Sequence, residues 1–276
     1  MTPERIVHPG PPAAERINAL PCTAERRELV LAAGRPLDAA VTEALAGTGA
    51  DGAYLRIADA AADSLDFVRP APAPGDGHAA WYSDTTRLAP ATITEAGIHA
   101  GRRDGAPFLH VHGLWQGADG ETRMGHVLPH ATRLSRDTTV TAWLIRGARL
   151  EVAADAETQF PLFRPVPTDA GPGRGAVLAT IRPNEDIRDA IATMAAEAGL
   201  ATAEIQGIGS AVGTRFADGG ALDSYATEVL VRAGHVSGPE VTLDVASVGF
   251  DGGHLTGALG ARNRVCVTFE LLLLGA

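Results

Sequence analysis

Two stretches of this chain, one in each half, pass through the same local signals in the same order, and a repeated unit constrains a fold more than any single element does. In the C-terminal half Arg182-Pro183-Asn184-Glu185-Asp186 precedes Ile187, Ile191, Met194, Ala195 and Ala198, the i, i+4, i+7, i+8, i+11 spacing of one helical face. Asn184 is placed to cap that helix, Glu185 and Asp186 complement its positive end, and Gly199 can take the left-handed position that closes it. In the N-terminal half Arg35-Pro36-Leu37-Asp38 opens a similar helix, with Leu37, Val41, Ala44 and Leu45 on one face and Gly47 at its end. A short strand is predicted after each helix, over 53–57 and 203–207. Each half then reaches an Asp-Gly pair, the strongest short hairpin signal, at Asp119-Gly120 and Asp251-Gly252. A Gly-His pair follows each turn, Gly125-His126 and Gly253-His254, and each half closes on an apolar strand, over 140–145 and 265–274.

This series predicts an α+β chain (α/β mixed) of two similar domains, each a mixed, largely antiparallel sheet packed on one or two helices. Residues 1–25, with Pro9-Gly10-Pro11-Pro12, read as an irregular arm, 26–163 as the first domain and 175–276 as the second. Between them 164–174 reads as a linker, inside a stretch that holds Pro161, Pro165, Pro167 and Pro172 with Gly171, Gly173 and Gly175. Residues 70–77 form a Pro/Gly loop particular to the first half.

Composition bounds the function. A chain of 276 residues, 45% hydrophobic and 20% charged, has the balance of two soluble domains. No run approaches the ~20 apolar residues of a membrane helix, and the first residues lack a basic flank with an apolar run, so the expectation is a cytoplasmic protein with no membrane partner. Cys22 and Cys266 have neither metal-type spacing nor the number a disulfide framework needs. The 23 basic residues are all arginine, against 33 acidic ones, for a formal charge of -10. They are scattered, with adjacent pairs only at Arg26-Arg27 and Arg102-Arg103, which weighs against binding that depends on clustered cations displacing phosphate counterions.

The C-terminal half resembles the plant-and-prokaryote conserved (PCC or PPC) domain, through Gly207-Ile208-Gly209-Ser210 after its helix and strand and Gly252-Gly253-His254-Leu255 at its hairpin. The His-x-His that this family carries ahead of that hairpin is supplied by the N-terminal half, as His110-Val111-His112. The match is closer over 175–276 than over the first 163 residues, and it implies a tandem pair of such domains. The resemblance further implies a mixed sheet on helices, trimeric self-association, and a metal site of three histidines in some bacterial members. In plants the domain sits beside a DNA-binding hook, and bacterial members carry a DNA-binding label by that analogy.

The residues themselves support one constellation. His110 and His112 lie two apart on a predicted strand and so project from one face; after 13 intervening residues the hairpin returns His126 beside them. Three neutral imidazoles would leave a fourth position open on zinc, while nickel, iron or copper would suit the same ligands. Spacing alone fits equally a set of histidines hydrogen-bonded within a sheet. His130, His99 and His235 read as surface or strand-end residues. The C-terminal half places Asp244-Val245-Ala246 at the His-x-His position and cannot build the same site; the N-terminal half has Ile57-Ala58-Asp59-Ala60 in place of Gly-x-Gly-Ser. One hypothesis joins the two into a composite pocket, with Gly207, Gly209 and Ser210 facing the histidines and offering amides to an anion, against the alternative of a tight turn needing positive φ. Arg102, Arg103 and Arg123 would supply charge to a small anionic ligand. Asp244 and Glu270 are the candidates for an acid or base, and a carboxylate inside the last apolar strand needs a partner. Three readings follow: a metal-dependent protein binding or acting on a small molecule, a DNA-associated protein, and an oligomeric scaffold with a structural metal.

Overall fold

The computed structural model describes residues 4–275. Among these, two helices and fourteen strands of five residues or more carry the fold, with six strands of two or three residues in the loops. In chain order they are β1 (Ile17–Leu31), α1 (Leu37–Leu45), β2 (Gly52–Val68), β3 (Ala91–Arg103), β4 (Ala106–Gly117), β5 (Thr122–Val127), β6 (Thr138–Arg146), β7 (Ala148–Ala154) and β8 (Pro161–Pro167). The C-terminal half adds β9 (Ala176–Ile181), α2 (Ile187–Glu197), β10 (Thr202–Ala211), β11 (Thr227–Ser237), β12 (Glu240–Val248), β13 (His254–Ala258) and β14 (Val265–Gly275). This is the mixed α+β architecture expected.

The strands of the N-terminal half pair in the order β5-β4-β3-β2-β6-β1, and those of the C-terminal half in the order β13-β12-β11-β10-β14-β9. In each, the strand before the helix lies at one end, the last strand of the series beside it, and the Asp-Gly hairpin at the other end. The two Asp-Gly turns are present, with Gly120 at φ 75° and Gly252 at φ 83°. Gly47 and Gly199 close their helices in the left-handed conformation, at φ 76° and 69°.

Several local expectations are corrected. The helix cap is Asp186, whose carboxylate accepts from the amides of Arg188 and Asp189; Asn184 sits at φ 66° and uses its amide to grip both backbone groups of Ile6. Asn tolerates that backbone because its short side chain bonds locally. The strands after the helices are longer than predicted, since β2 and β10 each pair on both edges. The irregular arm ends before Ile17: β1 runs antiparallel to β9 over 17–22 and to β6 over 23–31, so one strand belongs to both sheets. The proline-rich stretch begins as β8, an edge strand antiparallel to β7, where a missing N–H costs no ladder bond on the open side. Only 168–175 connects the halves as loop.

Alternation along these strands gives four layers. One face of the N-terminal sheet packs Leu55, Ile57, Ile98, Val111 and Trp115 with Leu37 and Val41 of α1. One face of the C-terminal sheet packs Ile205, Val229, Val231, Phe269 and Leu271 with Ile187, Ile191 and Met194 of α2. The opposite faces meet each other. Tyr54, Trp143, Leu150 and Phe163 lie against Leu178 and Leu272, and Leu114 and Met124 against Ile208, Leu230 and Val248. Both sheets are thereby buried on two sides, which removes their apolar side chains from water at about 25 cal/mol per Å². No helix among the described residues is long and apolar enough to cross a membrane.

Candidate metal centre

On β4 the outer-core residues Leu109, Val111 and Trp115 fix the phase of the strand, so Phe108, His110, His112 and Leu114 face the other sheet. The β4–β5 hairpin sets His126 directly opposite His112. The candidate ligand atoms of His110, His112 and His126 all lie within 4.8 Å of one another.

The C-terminal half supplies the groups that orient two of these rings. Glu270, 1% exposed on β14, puts Oε2 2.6 Å from His110 Nδ1. The Val229 carbonyl on β11 lies 3.0 Å from His112 Nδ1. A carbonyl only accepts, so His112 carries its proton on Nδ1, and the Glu270 carboxyl engages His110 through the same ring nitrogen. With both Nδ1 atoms so engaged, the two Nε2 atoms face each other 3.1 Å apart. Burial holds His112 well below the usual imidazole range, with His110 and His126 adding to the shift. Burial, then His110, brings His126 down to about 3. Two lone pairs in such contact repel unless a cation or a shared proton lies between them. Two nitrogens on one tetrahedral zinc, at ~2.0–2.1 Å each, stand roughly 3.3 Å apart. The donor set and this spacing fit a transition metal.

The histidines border a cavity of about 270 Å³ between the sheets. Gly209, Ser210, Glu228, Thr268 and Glu270 border it from the C-terminal half, and Phe108, Trp81, Tyr82, Val152, Phe160 and Phe163 from the N-terminal half. Glu228 is 4% exposed with Oε2 unpartnered, and burial pushes its carboxyl well above the usual range. Tyr82, 44% exposed, stands with its ring centroid 5.5 Å from that of His126.

The other sequence candidates fall in different places. Gly209 and Ser210 border the cavity and Gly207 does not. None of the three forms a positive-φ turn: they lie within β10, whose amides serve the ladder instead of an anion. Their small size answers the close approach of β14. A Cβ on Gly207 would lie 2.5 Å from the Glu270 carbonyl oxygen and one on Gly209 2.6 Å from Phe269 Cα. Ser210 Oγ accepts the Val267 amide at 2.9 Å. Arg103 sits at the cavity mouth, 5.7 Å from the Phe108 ring centre, whereas Arg102 is exposed and Arg123 is held outside by Asp119 and Glu121. Asp244 is half exposed and paired with Arg232 at 3.1 Å, away from the cavity.

Register also moves the equivalence between the halves. His254 is opposite Val248, as His126 is opposite His112, so Ala246 and Val248, not Asp244 and Ala246, stand where His110 and His112 do. The slip arises because the two hairpins differ in length. His130 and His235 are exposed, as expected for surface residues, but His99 is fully buried, 3.2 Å from the Glu270 carbonyl, and burial takes its imidazole down to about 4. Glu228 and Tyr82 were missed. A charged residue inside the apolar run Thr227-Glu228-Val229-Leu230-Val231 was the available signal for the first, the same one that singled out Glu270. Cys22 and Cys266 are free, buried thiols, pushed up to about 12 by burial.

No protein-family model matches the chain, and no curated protein matches it. Solved structures do. The chain is similar to a "Putative DNA-binding protein" of Ralstonia eutropha JMP134, at 14% identity and TM-score 0.40 over 49% of this chain and 88% of that one. It is similar to a metal-containing protein of Archaeoglobus fulgidus, at 23% identity and TM-score 0.39 over 51% and 94%. It is also similar to a plant- and prokaryote-conserved (PPC) protein of Pyrococcus horikoshii, at 13% identity and TM-score 0.40 over 53% and 96%. A PPC protein is thus among the solved structures this chain resembles, each spanning about half of it. The DNA-binding description belongs to the Ralstonia protein and stands opposite to what the acidic charge of this chain suggests.

Proposed function

We propose that this protein holds a divalent transition metal, zinc in the first instance, at His110, His112 and His126, and uses that centre to bind or act on a small molecule in the cavity between the sheets. The observation that carries the reading is the approach of His110 Nε2 and His112 Nε2 to 3.1 Å with both Nδ1 atoms engaged by the C-terminal half. Three neutral histidines are the donor set of an open site, which leaves a position for water or ligand. A metal held there would supply Lewis acidity toward a carbonyl or a water. The chain's own residues do the rest: Glu270 and the Val229 carbonyl orient the His110 and His112 rings, the aromatic walls shape the ligand space, and Arg103 offers a cation for an anionic ligand.

The matching strand orders support reading the chain as two diverged copies of a PPC-like domain, the first starting with β1 and the second with β9, that share one composite site. The experiment is elemental analysis of the purified protein beside a His110→Ala/His112→Ala variant. About one transition metal per chain, lost in a variant with an unchanged circular dichroism spectrum, is the expected result. No metal in either protein after reconstitution overturns the reading and leaves a proton shared between His110 and His112. Salt-dependent binding of a labelled DNA duplex by the wild-type protein would favour the DNA-associated reading instead.

A further inference from the structure

The cavity contains a polar group that the histidine centre does not use. Glu228 projects from β11, opposite Ser210 of β10 and Val248 of β12, and its Oε2 has no hydrogen-bond partner although the residue is 4% exposed. It borders the same cavity as His110, His112 and His126. A buried polar atom without a protein partner costs stability, so its retention is accounted for by a partner that the protein itself does not supply. Burial pushes the Glu228 carboxyl well above the usual range, which favours the protonated form that can donate a hydrogen bond. Ser210 is unavailable for that task, being engaged with the amide of Val267 and the carbonyl of Thr268.

Away from the histidines the cavity is built for an apolar body. Phe108 and Phe163 meet edge to face with centroids 5.6 Å apart, and Trp81 stacks on Phe160 at 5.4 Å. Val152 and Leu162 fill the wall between them. A dry apolar cavity of about 150 Å³ accepts a benzene ring. The volume here, about 270 Å³, holds such a ring with a short side chain. A bare inorganic anion would leave those aromatic walls uncovered.

We propose that the ligand of this cavity is a monocyclic organic acid, its ring against Phe108, Phe160 and Phe163 and its carboxylate at the histidine end, with Glu228 as the residue that selects the head group by donating a hydrogen bond to it. The assignment rests on the reading of the three histidines as a cation site, without which a carboxylate head group would lie beside Glu270 with no cation to offset it. Among the residues that border the cavity, Glu228 is the one whose role is specificity; it is not assigned to the metal.

The test is calorimetric titration of the zinc-loaded full chain with four probes: 3-phenylpropionate, 3-phenylpropan-1-ol, acetate and inorganic phosphate, with zinc content measured on every sample. The expected result is that 3-phenylpropionate binds at least tenfold tighter than each of the other three. Glu228→Leu, which removes the donor, lowers that affinity at least tenfold with zinc content unchanged, and Glu228→Gln, which keeps a donor, stays within about threefold of wild type. Equal affinity for acetate or phosphate overturns the ring assignment, and equal affinity for the alcohol overturns the head-group assignment. Full affinity in a zinc-replete Glu228→Leu variant overturns the role of Glu228. These three outcomes leave the metal reading standing; a wild-type protein that takes up no zinc sinks that reading and this one together. The probe comparison needs no variant, so a Glu228→Leu chain that fails to fold does not shield the proposal.

Discussion

The two halves carry the same strand order around the same kind of helix-backed sheet, yet their inner faces have opposite chemistry. Where the N-terminal half presents His110, His112 and His126, the C-terminal half has Ala246, Val248 and His254. At the strand position of Gly97, opposite His112, the C-terminal half has Glu228, opposite Val248. The histidine cluster on one face thus meets Glu228 and Glu270 on the other. Packing two similar sheets face to face lets one specialise in donor nitrogens while the other supplies Glu270 and the Val229 carbonyl that orient them. A site on either sheet alone would lack its orienting groups.

The comparison breaks most visibly at matched positions. His126→Ala is expected to abolish metal uptake and His254→Ala to leave it intact, with stability changed by less than about 0.5 kcal/mol for the latter, as for an ordinary surface substitution. Chelation at a metal level of a hundred times Kd should then cost the wild type and His254→Ala about 2.7 kcal/mol each, and His126→Ala nothing, read from urea midpoints. Equal metal uptake by both variants would show that His126 is no ligand.

A smaller effect probes the contact between β10 and β14. Gly209→Ala forces a Cβ onto Phe269, 2.6 Å from both its Cα and its ring, and is expected to cost about 1–3 kcal/mol in a urea titration. Ser210 and the histidines would keep their chemistry, so metal affinity in the folded fraction should hold. Glu270→Leu acts the other way. It leaves His110 without its orienting carboxylate, and metal affinity should fall by roughly 10–100-fold in a competition titration while the fold persists. A wild-type affinity in that variant would mean that the C-terminal half contributes packing and no tuning.

The smallest effect lies where the N-terminal segment reaches the C-terminal half. His8 Nε2 lies 2.8 Å from the Cys266 carbonyl, and burial lowers the imidazole below its usual 6.5. As pH falls below that unfolded value, the unfolded chain takes up a proton before the folded one does. Stability is therefore present above pH 6.5 and lost on acidification toward the lower folded value, by less than about 1.4 kcal/mol per pH unit for this one group. Urea midpoints at pH 7.5 and 5.5 should differ less in His8→Gln than in wild type.

Much of this was legible in the chain. Leu37, Val41, Ile187 and Ile191 announce the helices because a 3.6-residue period is a local property, and Asp119-Gly120 and Asp251-Gly252 announce the hairpins because only a few residues adopt their turn geometry. His110 and His112 had to share a face once they were on a strand. The β1 crossing and the β8 edge were not legible, since Pro9-Gly10-Pro11-Pro12 and the prolines from Pro161 onward are punctuation by any local rule and strand pairing is settled by distant partners.

By itself, then, the sequence determined the periodic elements, the turns between them and the pairing of His110 and His112 with His126 across one hairpin, all of which depend on neighbours a few residues away. The tertiary structure decided the partners 100 or more residues distant: that Glu270 and Val229 orient the two histidines, |i−j| 160 and 117, and that Glu228 faces the same cavity unpaired. The physical reason is that burial and charge pairing belong to the packed sheets, and a carboxyl in an apolar strand says only that it needs a partner until the opposite sheet shows which one it has.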